Sequence, residues 1–224
     1  MTIIVKICGL TSPEGLEAAL SCGADMVGFV VFAQSPRHVS LKLASELGRQ
    51  AAGRGRKVLL TVDAEDAMLG AAIAALDPDI LQLHGHETPE RVSFIRSRFG
   101  LPVMKAIGIA GEADFSAIAA FDAAADYLLF DARPQEGQRR PGGNGKSFDW
   151  RLLNGIKTKK PWLLAGGLDT ANVANALAQT QAPGVDVSSG VERAPGIKDK
   201  DKIAAFIMAA RGGALPLAKA AVNG

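Results

Sequence analysis

The sequence predicts an α/β fold in which eight parallel strands and their helices form a single (β/α)8 barrel, the TIM-barrel architecture. Eight short apolar segments alternate with segments of helical spacing along the 224 residues. That length falls within the roughly 200–250 residues typical of such a barrel. The last two strand segments each run into a glycine-rich turn, the place where barrels of this kind bind phosphate.

The predicted strands are runs rich in Val, Ile, Leu and Phe. The run at residues 25–32, DMVGFVVF, is nearly continuous, as expected for a parallel strand covered on both faces. The eight strands are predicted at residues 3–7, 25–32, 57–62, 79–83, 102–107, 127–130, 162–164 and 185–187. An open doubly wound sheet is the alternative, but no G-x-G-x-x-G follows the first strand.

The helices are predicted from apolar spacing and from capping residues. Thr11 and Glu14 match a capping box, and Pro13 suits a first helical turn. Helices are expected after residues 11, 88 and 148 and over residues 41–52, 64–76, 113–121, 170–180 and 199–211. We expect the barrel domain to span residues 1–211, followed by a tail at residues 212–224 that extends the last helix or frays.

Composition argues against several kinds of protein. The net charge is only +2, so no nucleic-acid partner or acidic membrane surface is expected. The chain starts directly with a strand, and no run of about 18 apolar residues occurs, so we expect a cytoplasmic protein without leader or membrane segment. Cys8 and Cys22 fall in a predicted strand and helix, which argues against a disulfide scaffold. Three His with scattered acids make no metal-ligand set, and we expect neither metal nor cofactor.

Polar residues stand where the predicted strands end, which is the catalytic rim of a barrel. Asp131 directly follows YLLF, and a carboxylate there is costly to bury unless it is paired or functional. Cys8 is either a small buried hydrophobic residue or a functional thiol. His84 could equally satisfy a backbone carbonyl or touch a substrate, and Lys105 needs either a partner or the barrel mouth.

The two glycine-rich turns predict a phosphate site. The segments 165–167 (AGG) and 188–190 (SSG) end the last two strands, and the segment between them is helical. Glycine lets backbone N–H groups approach an anion closely, and a helix N-terminus adds partial positive charge. Either turn alone could be an ordinary turn, but the two together favour phosphate.

Seven motifs in order resemble the phosphoribosylanthranilate isomerase family of tryptophan biosynthesis. The resemblance runs from Lys6 to about Ile207. The motifs are KICG at residues 6–9, SPR at 35–37, QLHG at 82–85, FD at 130–131, GGNGKSFDW at 142–150, AGGL at 165–168 and VDVSSGVE at 185–192. One small departure is Asn144, where Thr or Ser is expected.

The resemblance implies an Amadori rearrangement of a phosphorylated aminoaldose to an aminoketose. In that reaction an acid protonates the furanose ring oxygen and a base removes the C2′ proton. The resemblance assigns Asp131 as the acid and Cys8 as the base. A free thiol is mostly protonated at pH 7, so Cys8 needs either a lowered pKa or a role for a small thiolate fraction. Lys6 points to the same side of its strand as Cys8, and a nearby ammonium would favour the thiolate.

The resemblance also implies a set of binding residues. Arg37 is expected to clamp the anthranilate carboxylate, because its planar fork suits a bidentate pair. Asp186 is expected inside the barrel, where it accepts the aniline N–H, fixes Arg37 or forms a structural ion pair. Gln82 and His84 are further substrate-binding candidates. The phosphate-binding candidates are Gly145, Gly166, Gly167, Ser188, Ser189 and Gly190, and the loop at residues 142–145 is a candidate lid.

Other barrels remain as alternatives at this point. Indoleglycerol-phosphate synthase and the tryptophan synthase α subunit share the phosphate turns but carry catalytic Lys or Glu, whereas here Cys8 and Asp131 stand at strand ends. A ribulose-phosphate epimerase needs a metal or paired Asp with His. A non-catalytic phosphosugar-binding barrel would not require Cys8 and Asp131. The expected partner is a small phosphosugar, and monomer and homodimer both remain open.

Overall fold

A computed structural model describes residues 2–111, 114–132 and 149–213 of the chain. Eight parallel strands form a closed barrel in chain order, and the last strand pairs with the first. This confirms the predicted fold. The strands are β1 (Ile4–Cys8), β2 (Met26–Val30), β3 (Arg56–Thr61), β4 (Ile80–Leu83), β5 (Val103–Ile109), β6 (Tyr127–Ala132), β7 (Trp162–Leu164) and β8 (Gly184–Val187).

Because side chains alternate along each strand, some face the helices and the others face the inside of the barrel. Val5 and Ile7 belong to the large apolar cluster between the strands and the helices. Met26, Val58 and Leu129 belong to a smaller cluster with residues of alternate strand positions, which fills the barrel interior. Because successive side chains point to opposite faces, the odd-even pattern of β1 places its polar and thiol side chains inside the barrel.

Three aspartates fasten the amino-terminal face of the barrel. Asp25, Asp79 and Asp126 each precede a strand, and each accepts a backbone N–H from the first or second residue of the strand before it. The acceptor distances are 2.8 Å to Val5, 2.7 Å to Lys57 and 3.0 Å to Val103. Each carboxylate therefore satisfies a strand-end donor, and β2 and β4 begin one residue later than the sequence predicts.

Within the described residues seven helices surround the strands, and side-chain caps begin several of them. Ser40, Thr88 and Asp199 accept N–H groups in the first turns of their helices. The helices are α1 (Pro13–Ser21), α2 (Leu41–Ala51), α3 (Asp66–Leu76), α4 (Pro89–Phe99), α5 (Phe115–Ala124), α6 (Val173–Thr180) and α7 (Lys200–Ala210). A 3₁₀ helix at Trp150–Gly155 stands where a short helix was predicted.

The predicted cap of α1 is wrong by one residue. Ser12 accepts the N–H of Gly15, whereas the Thr11 hydroxyl donates to the carbonyl oxygen of Gly196. With Ser12 as the cap, Glu14 lies one residue too early to complete a capping box. Thr11 is instead part of a contact with the hairpin after β8.

That hairpin is absent from the sequence prediction. After β8 the chain makes a 3₁₀ turn at Ser189–Val191 and then an antiparallel pair, β9 (Glu192–Ala194) and β10 (Ile197–Lys198), before α7 begins. Strands of three and two residues with charged side chains carry no periodic apolar signal. The hairpin matters because it brings Glu192 and Lys198 back toward the barrel.

Some predictions lie outside the described residues. These are the loop at residues 142–145 with Gly145, the helix start at Phe148, and most of the predicted tail, residues 214–224. The domain boundary at residue 211 stays a prediction. Within the described ranges, none of the helices combines the length and hydropathy needed to cross a bilayer.

The cap assignment predicts a stability difference at α1. Ser12→Ala should lower the free energy of unfolding by about 1 kcal/mol, because one first-turn N–H loses its acceptor. Ser12→Asp keeps an acceptor and should stay near wild type. Urea unfolding measures both. Equal stability of Ser12→Ala and wild type would contradict the assignment.

Candidate active site

A buried ion pair joins the first and last strands beneath Cys8. Lys6 and Asp186 are neighbours in the register of β1 and β8, and the Lys6 ammonium lies 2.7 Å from the Asp186 carboxylate. Lys6 is completely buried. Burial acts to lower the pKa of Lys6, but the Asp186 carboxylate and the Cys8 side chain outweigh it and raise that pKa above its ordinary value of 10.5. Lys6 is therefore a fixed cation inside the barrel.

Cys8 ends β1 as a buried thiol next to this cation. Burial raises the pKa of Cys8 above its ordinary value of 9.0, although the Lys6 ammonium and a hydrogen bond from it act in the opposite direction. Of the two sequence-based options for Cys8, the lowered pKa is therefore wrong, and the small thiolate fraction is the one that fits. Its thiolate is a minor species near neutral pH.

Gly28 on β2 makes room for this group, and the sequence analysis missed it. Gly28 is the register partner of Cys8. A Cβ atom at Gly28 would lie 2.9 Å from Cys8 Sγ and 3.2 Å from Lys6 Nζ. The available signal was a glycine inside an otherwise continuous apolar strand, which often marks a close approach of other atoms.

Asp131 near the end of β6 forms the second polar group. One of its oxygens accepts the N–H of Ala132 at 2.8 Å, and the other lies 3.2 Å from His84 Nε2. The other ring nitrogen of His84 lies 3.0 Å from the Gln82 side-chain nitrogen. When Gln82 donates to Nδ1, the imidazole proton resides on Nε2 and faces Asp131. The His84 ring thus contacts an acid rather than a backbone carbonyl, and Gln82 orients it.

Arg37, in the loop after β2, pairs with Glu192 and not with Asp186, which was one of the predicted options. Its Nε and Nη2 atoms donate to the two oxygens of Glu192 at 2.7 and 2.8 Å, so Asp186 does not fix Arg37. Asp186 instead forms a structural ion pair, one of the predicted alternatives, and the structure identifies its partner as Lys6. Lys198 also donates to Glu192, at 2.8 Å. Burial opposes ionisation of Glu192, but Arg37 and Lys198 hold its pKa below its ordinary value of 4.5.

The predicted phosphate turns lie side by side. Gly166 and Gly167 both have positive φ, 86° and 65°, a region that favours glycine. A Cβ at Gly190 would collide with the carbonyl oxygen of Leu168, so the turns after β7 and β8 touch. The N–H groups of the first two glycines, and those of Ser189 and Gly190, donate to no other described residue. These donors suit an anion.

The β8 turn is also tied to Cys8 and to the hairpin. The Ser188 hydroxyl donates to the carbonyl oxygen of Cys8 at 3.0 Å, and Lys198 donates to the Ser188 carbonyl at 2.9 Å. On the other side, a Cβ at Gly166 would lie 3.1 Å from an Asp131 oxygen. The turns therefore adjoin both predicted catalytic residues.

Lys105 belongs to a separate cluster. Its ammonium donates to the carbonyls of Leu83 and Gly85, pairs with Glu87 at 2.8 Å, and lies over the ring of Phe121 on α5. Of the two options predicted for Lys105, a partner or the barrel mouth, the structure shows the partner, and it lies on the helix side of the strand. In the described part of the chain, no cluster of three or more His, Cys, Asp or Glu side chains has an arrangement that could hold a metal ion.

The order of the strands around the barrel sets where Cys8, Asp131 and the two predicted phosphate turns lie relative to one another. Cys8 is on β1 and Asp131 is on β6, and the strands between them, β7 and β8, carry the two phosphate turns. Arg37 follows β2, on the far side of Cys8. A thiol and a carboxyl group on opposite sides of an anion site can exchange protons with different atoms of one phosphorylated ligand.

Comparison with known proteins is consistent with this geometry. The family model described as N-(5′-phosphoribosyl)anthranilate (PRA) isomerase matches residues 5–209. A relative of that name from Beijerinckia indica subsp. indica is 64% identical over 211 residues, which cover 94% of this chain and 95% of the relative. Another from Azorhizobium caulinodans is 57% identical, with 94% and 92% covered.

Solved isomerase structures are similar in fold to this chain over most of its length. Phosphoribosyl anthranilate isomerase from Thermotoga maritima has a TM-score of 0.80 or more in two structures. One has a TM-score of 0.83, 33% identity and coverage of 94% of this chain and 99% of that one. The other, described as mutually generated monomers of the dimeric enzyme, has a TM-score of 0.80, 31% identity and the same coverage. A further isomerase structure, in complex with reduced 1-(o-carboxyphenylamino)-1-deoxyribulose 5-phosphate, has a TM-score of 0.80, 31% identity and the same coverage.

The raised pKa of Cys8 predicts the pH range in which its thiolate appears. In wild type, the thiolate absorbance near 240 nm should have its midpoint above pH 9.0, and Lys6→Met should move it higher because the neighbouring ammonium is lost. Subtracting the titration of Cys8→Ser removes the signals of Cys22 and Tyr127. A wild-type midpoint below pH 9.0 would contradict the account.

Proposed function

The chain belongs to the N-(5′-phosphoribosyl)anthranilate isomerase family, and we propose that Asp131 and Cys8 carry out the proton transfers of its reaction. The enzyme catalyses the Amadori rearrangement of N-(5′-phosphoribosyl)anthranilate to 1-(2-carboxyphenylamino)-1-deoxyribulose 5-phosphate, a step of tryptophan biosynthesis. The observation that supports these roles best is the placement of Cys8 and Asp131 on opposite sides of the anion-binding turns.

The substrate phosphate binds at the turns after β7 and β8. The N–H groups of Gly166, Gly167, Ser189 and Gly190 supply donors, and the Ser188 hydroxyl lies in the same turn. A doubly charged phosphate held there places the ribose between β6 and β1. Binding energy from this remote group serves to orient the reacting atoms.

Asp131 protonates the ring oxygen. Protonation breaks the bond between C1′ and the ring oxygen and leaves an open-chain Schiff base. One Asp131 oxygen lies 3.2 Å from His84 Nε2, so the imidazole N–H holds the carboxyl group in place beside the phosphate turns. Gln82 keeps the ring in place. Asp131 is therefore the proton donor, and His84 and Gln82 position its carboxyl group.

Cys8 removes the C2′ proton as its thiolate. The electron pair of the C–H bond moves toward C1′ and neutralises the protonated imine, which gives an enolamine. Tautomerisation then releases the proton of the C2′ hydroxyl and adds one at C1′, giving the aminoketose. Lys6 contributes by stabilising the thiolate electrostatically, and Gly28 leaves space for Sγ beside it.

The anthranilate end is recognised by charge. Arg37 binds the carboxylate through the edge of its guanidinium that Glu192 leaves open, and Asp186 accepts the aniline N–H through its second oxygen. The ion pair with Lys6 is compatible with that contact because it occupies the other oxygen. The ligand class is a phosphosugar with an aryl carboxylate.

Assembly and location stay predictions. The Thermotoga maritima relative is described as a dimeric enzyme from which monomers were generated. For the present chain, sedimentation equilibrium distinguishes monomer from homodimer. A cytoplasmic location likewise stays a proposal, and cell fractionation tests it.

Asp131→Asn should lower kcat by roughly 10²–10⁴-fold, because general acid catalysis at the ring oxygen is lost while side-chain volume is kept. Loss of anthranilate fluorescence from freshly generated substrate measures turnover, and titration with the reduced product analogue measures binding, which should persist. Asp77→Asn is the matched control, because its side chain is 96% exposed and Asn tolerates its left-handed backbone. Wild-type turnover by Asp131→Asn would refute the acid assignment.

A further inference from the structure

Glu192 is a buried carboxylate with two cationic partners and no role in the proton transfers. Its side chain is only 5% exposed. One oxygen accepts Arg37 Nε at 2.7 Å and Lys198 Nζ at 2.8 Å, and the other accepts Arg37 Nη2 at 2.8 Å. Burying a carboxylate is costly, so its retention beside a substrate-binding arginine needs a reason.

The β9–β10 hairpin holds Glu192 rigidly. Lys198 on β10 is the register partner of Glu192, and its ammonium also donates to the carbonyl oxygen of Ser188 at 2.9 Å. The Lys202 ammonium on α7 donates to the Glu192 backbone carbonyl at 2.8 Å. The carboxylate therefore has a fixed position relative to the β8 turn.

The bidentate contact fixes the plane of the Arg37 guanidinium. Glu192 takes the edge formed by Nε and Nη2, which leaves the two N–H bonds of Nη1 and one of Nη2. No other described residue accepts from the Arg37 side chain. At its other end, the Arg37 alkyl chain packs over Gly9, where a Cβ would collide with Cδ. Both ends of the side chain are constrained.

We propose that Glu192 is a positioning residue that presents the open edge of Arg37 to the carboxylate of the substrate. This inference rests on the proposed role of Arg37. A guanidinium with its plane fixed in advance loses little entropy on binding a second carboxylate. Through Lys198, the same carboxylate fixes the spacing between this clamp and the phosphate turn, so that both charged ends of the substrate engage together.

The experiment compares two substrates that differ only in the carboxylate. These are N-(5′-phosphoribosyl)anthranilate and N-(5′-phosphoribosyl)aniline, each freshly generated, with product measured by chromatography. The readout is the ratio of kcat/KM for the two substrates. The proteins are wild type, Glu192→Gln, Glu192→Asp and Arg37→Ala. Glu17→Gln is the matched control, because Glu17 makes the same kind of bidentate pair with Arg54 on the exposed surface of α1.

Glu192→Gln should lower kcat/KM about tenfold or more for the anthranilate substrate and leave the aniline substrate within about twofold, since hydrogen bonds to a charged group have effects of this size. Glu192→Asp retains the charge but shortens the reach by one methylene, so it should reduce the ratio less. It also keeps the test decisive if Glu192→Gln does not fold. Glu17→Gln should keep the wild-type ratio.

An equal loss on both substrates, or no loss, in the Glu192 variants would overturn the proposal, because a merely structural carboxylate does not discriminate between them. Arg37→Ala separates this failure from failure of the proposed function. If Arg37→Ala collapses the ratio while the Glu192 variants keep it, the clamp stands and only the positioning role fails. If Arg37→Ala itself keeps the wild-type ratio, the clamp and the inference built on it are both wrong.

Discussion

The rest of the site depends on the buried ion pair between Lys6 and Asp186. It connects β1 to β8, the pair of strands whose contact closes the barrel, and it lies directly under Cys8. Neither charge is tolerable there alone, since removing one partner of a buried pair typically costs about 3–5 kcal/mol. The pair therefore couples barrel closure to the electrostatic environment of the thiol. It keeps an ammonium next to Cys8, the proposed base, which must become an anion to act.

A second constraint is the order of strands around the barrel. The proposed acid and base, Asp131 and Cys8, lie on β6 and β1, and the proposed phosphate turns follow the two strands between them. A ligand anchored by its phosphate at those turns would have the Cys8 thiol on one side and the Asp131 carboxyl group on the other. Arg37, the proposed carboxylate clamp, follows β2 and lies further along the same rim. The order of chemical roles around the barrel thus follows the order of the strands.

The sequence could predict which residues reach the rim because strand ends are local features. Cys8, His84 and Asp131 each follow an apolar run, and period-two alternation determines which side chains point inward. Their partners could not be predicted in the same way. Glu192 is 155 residues from Arg37, and Asp186 is 180 residues from Lys6, so these pairs exist only once the barrel closes. The short hairpin that carries Glu192 has no periodic apolar pattern, and the resemblance alone gave that residue no role.

Cys8 is proposed to be the base of the isomerisation. The most direct test follows the decay of anthranilate fluorescence from freshly generated phosphoribosylanthranilate with wild type, Cys8→Ala and Cys22→Ala. Cys22 is the matched control because it lies just after α1, away from the strand ends. The account predicts fast decay with wild type and Cys22→Ala, and no enzymatic decay with a folded Cys8→Ala. Wild-type turnover by Cys8→Ala would contradict it.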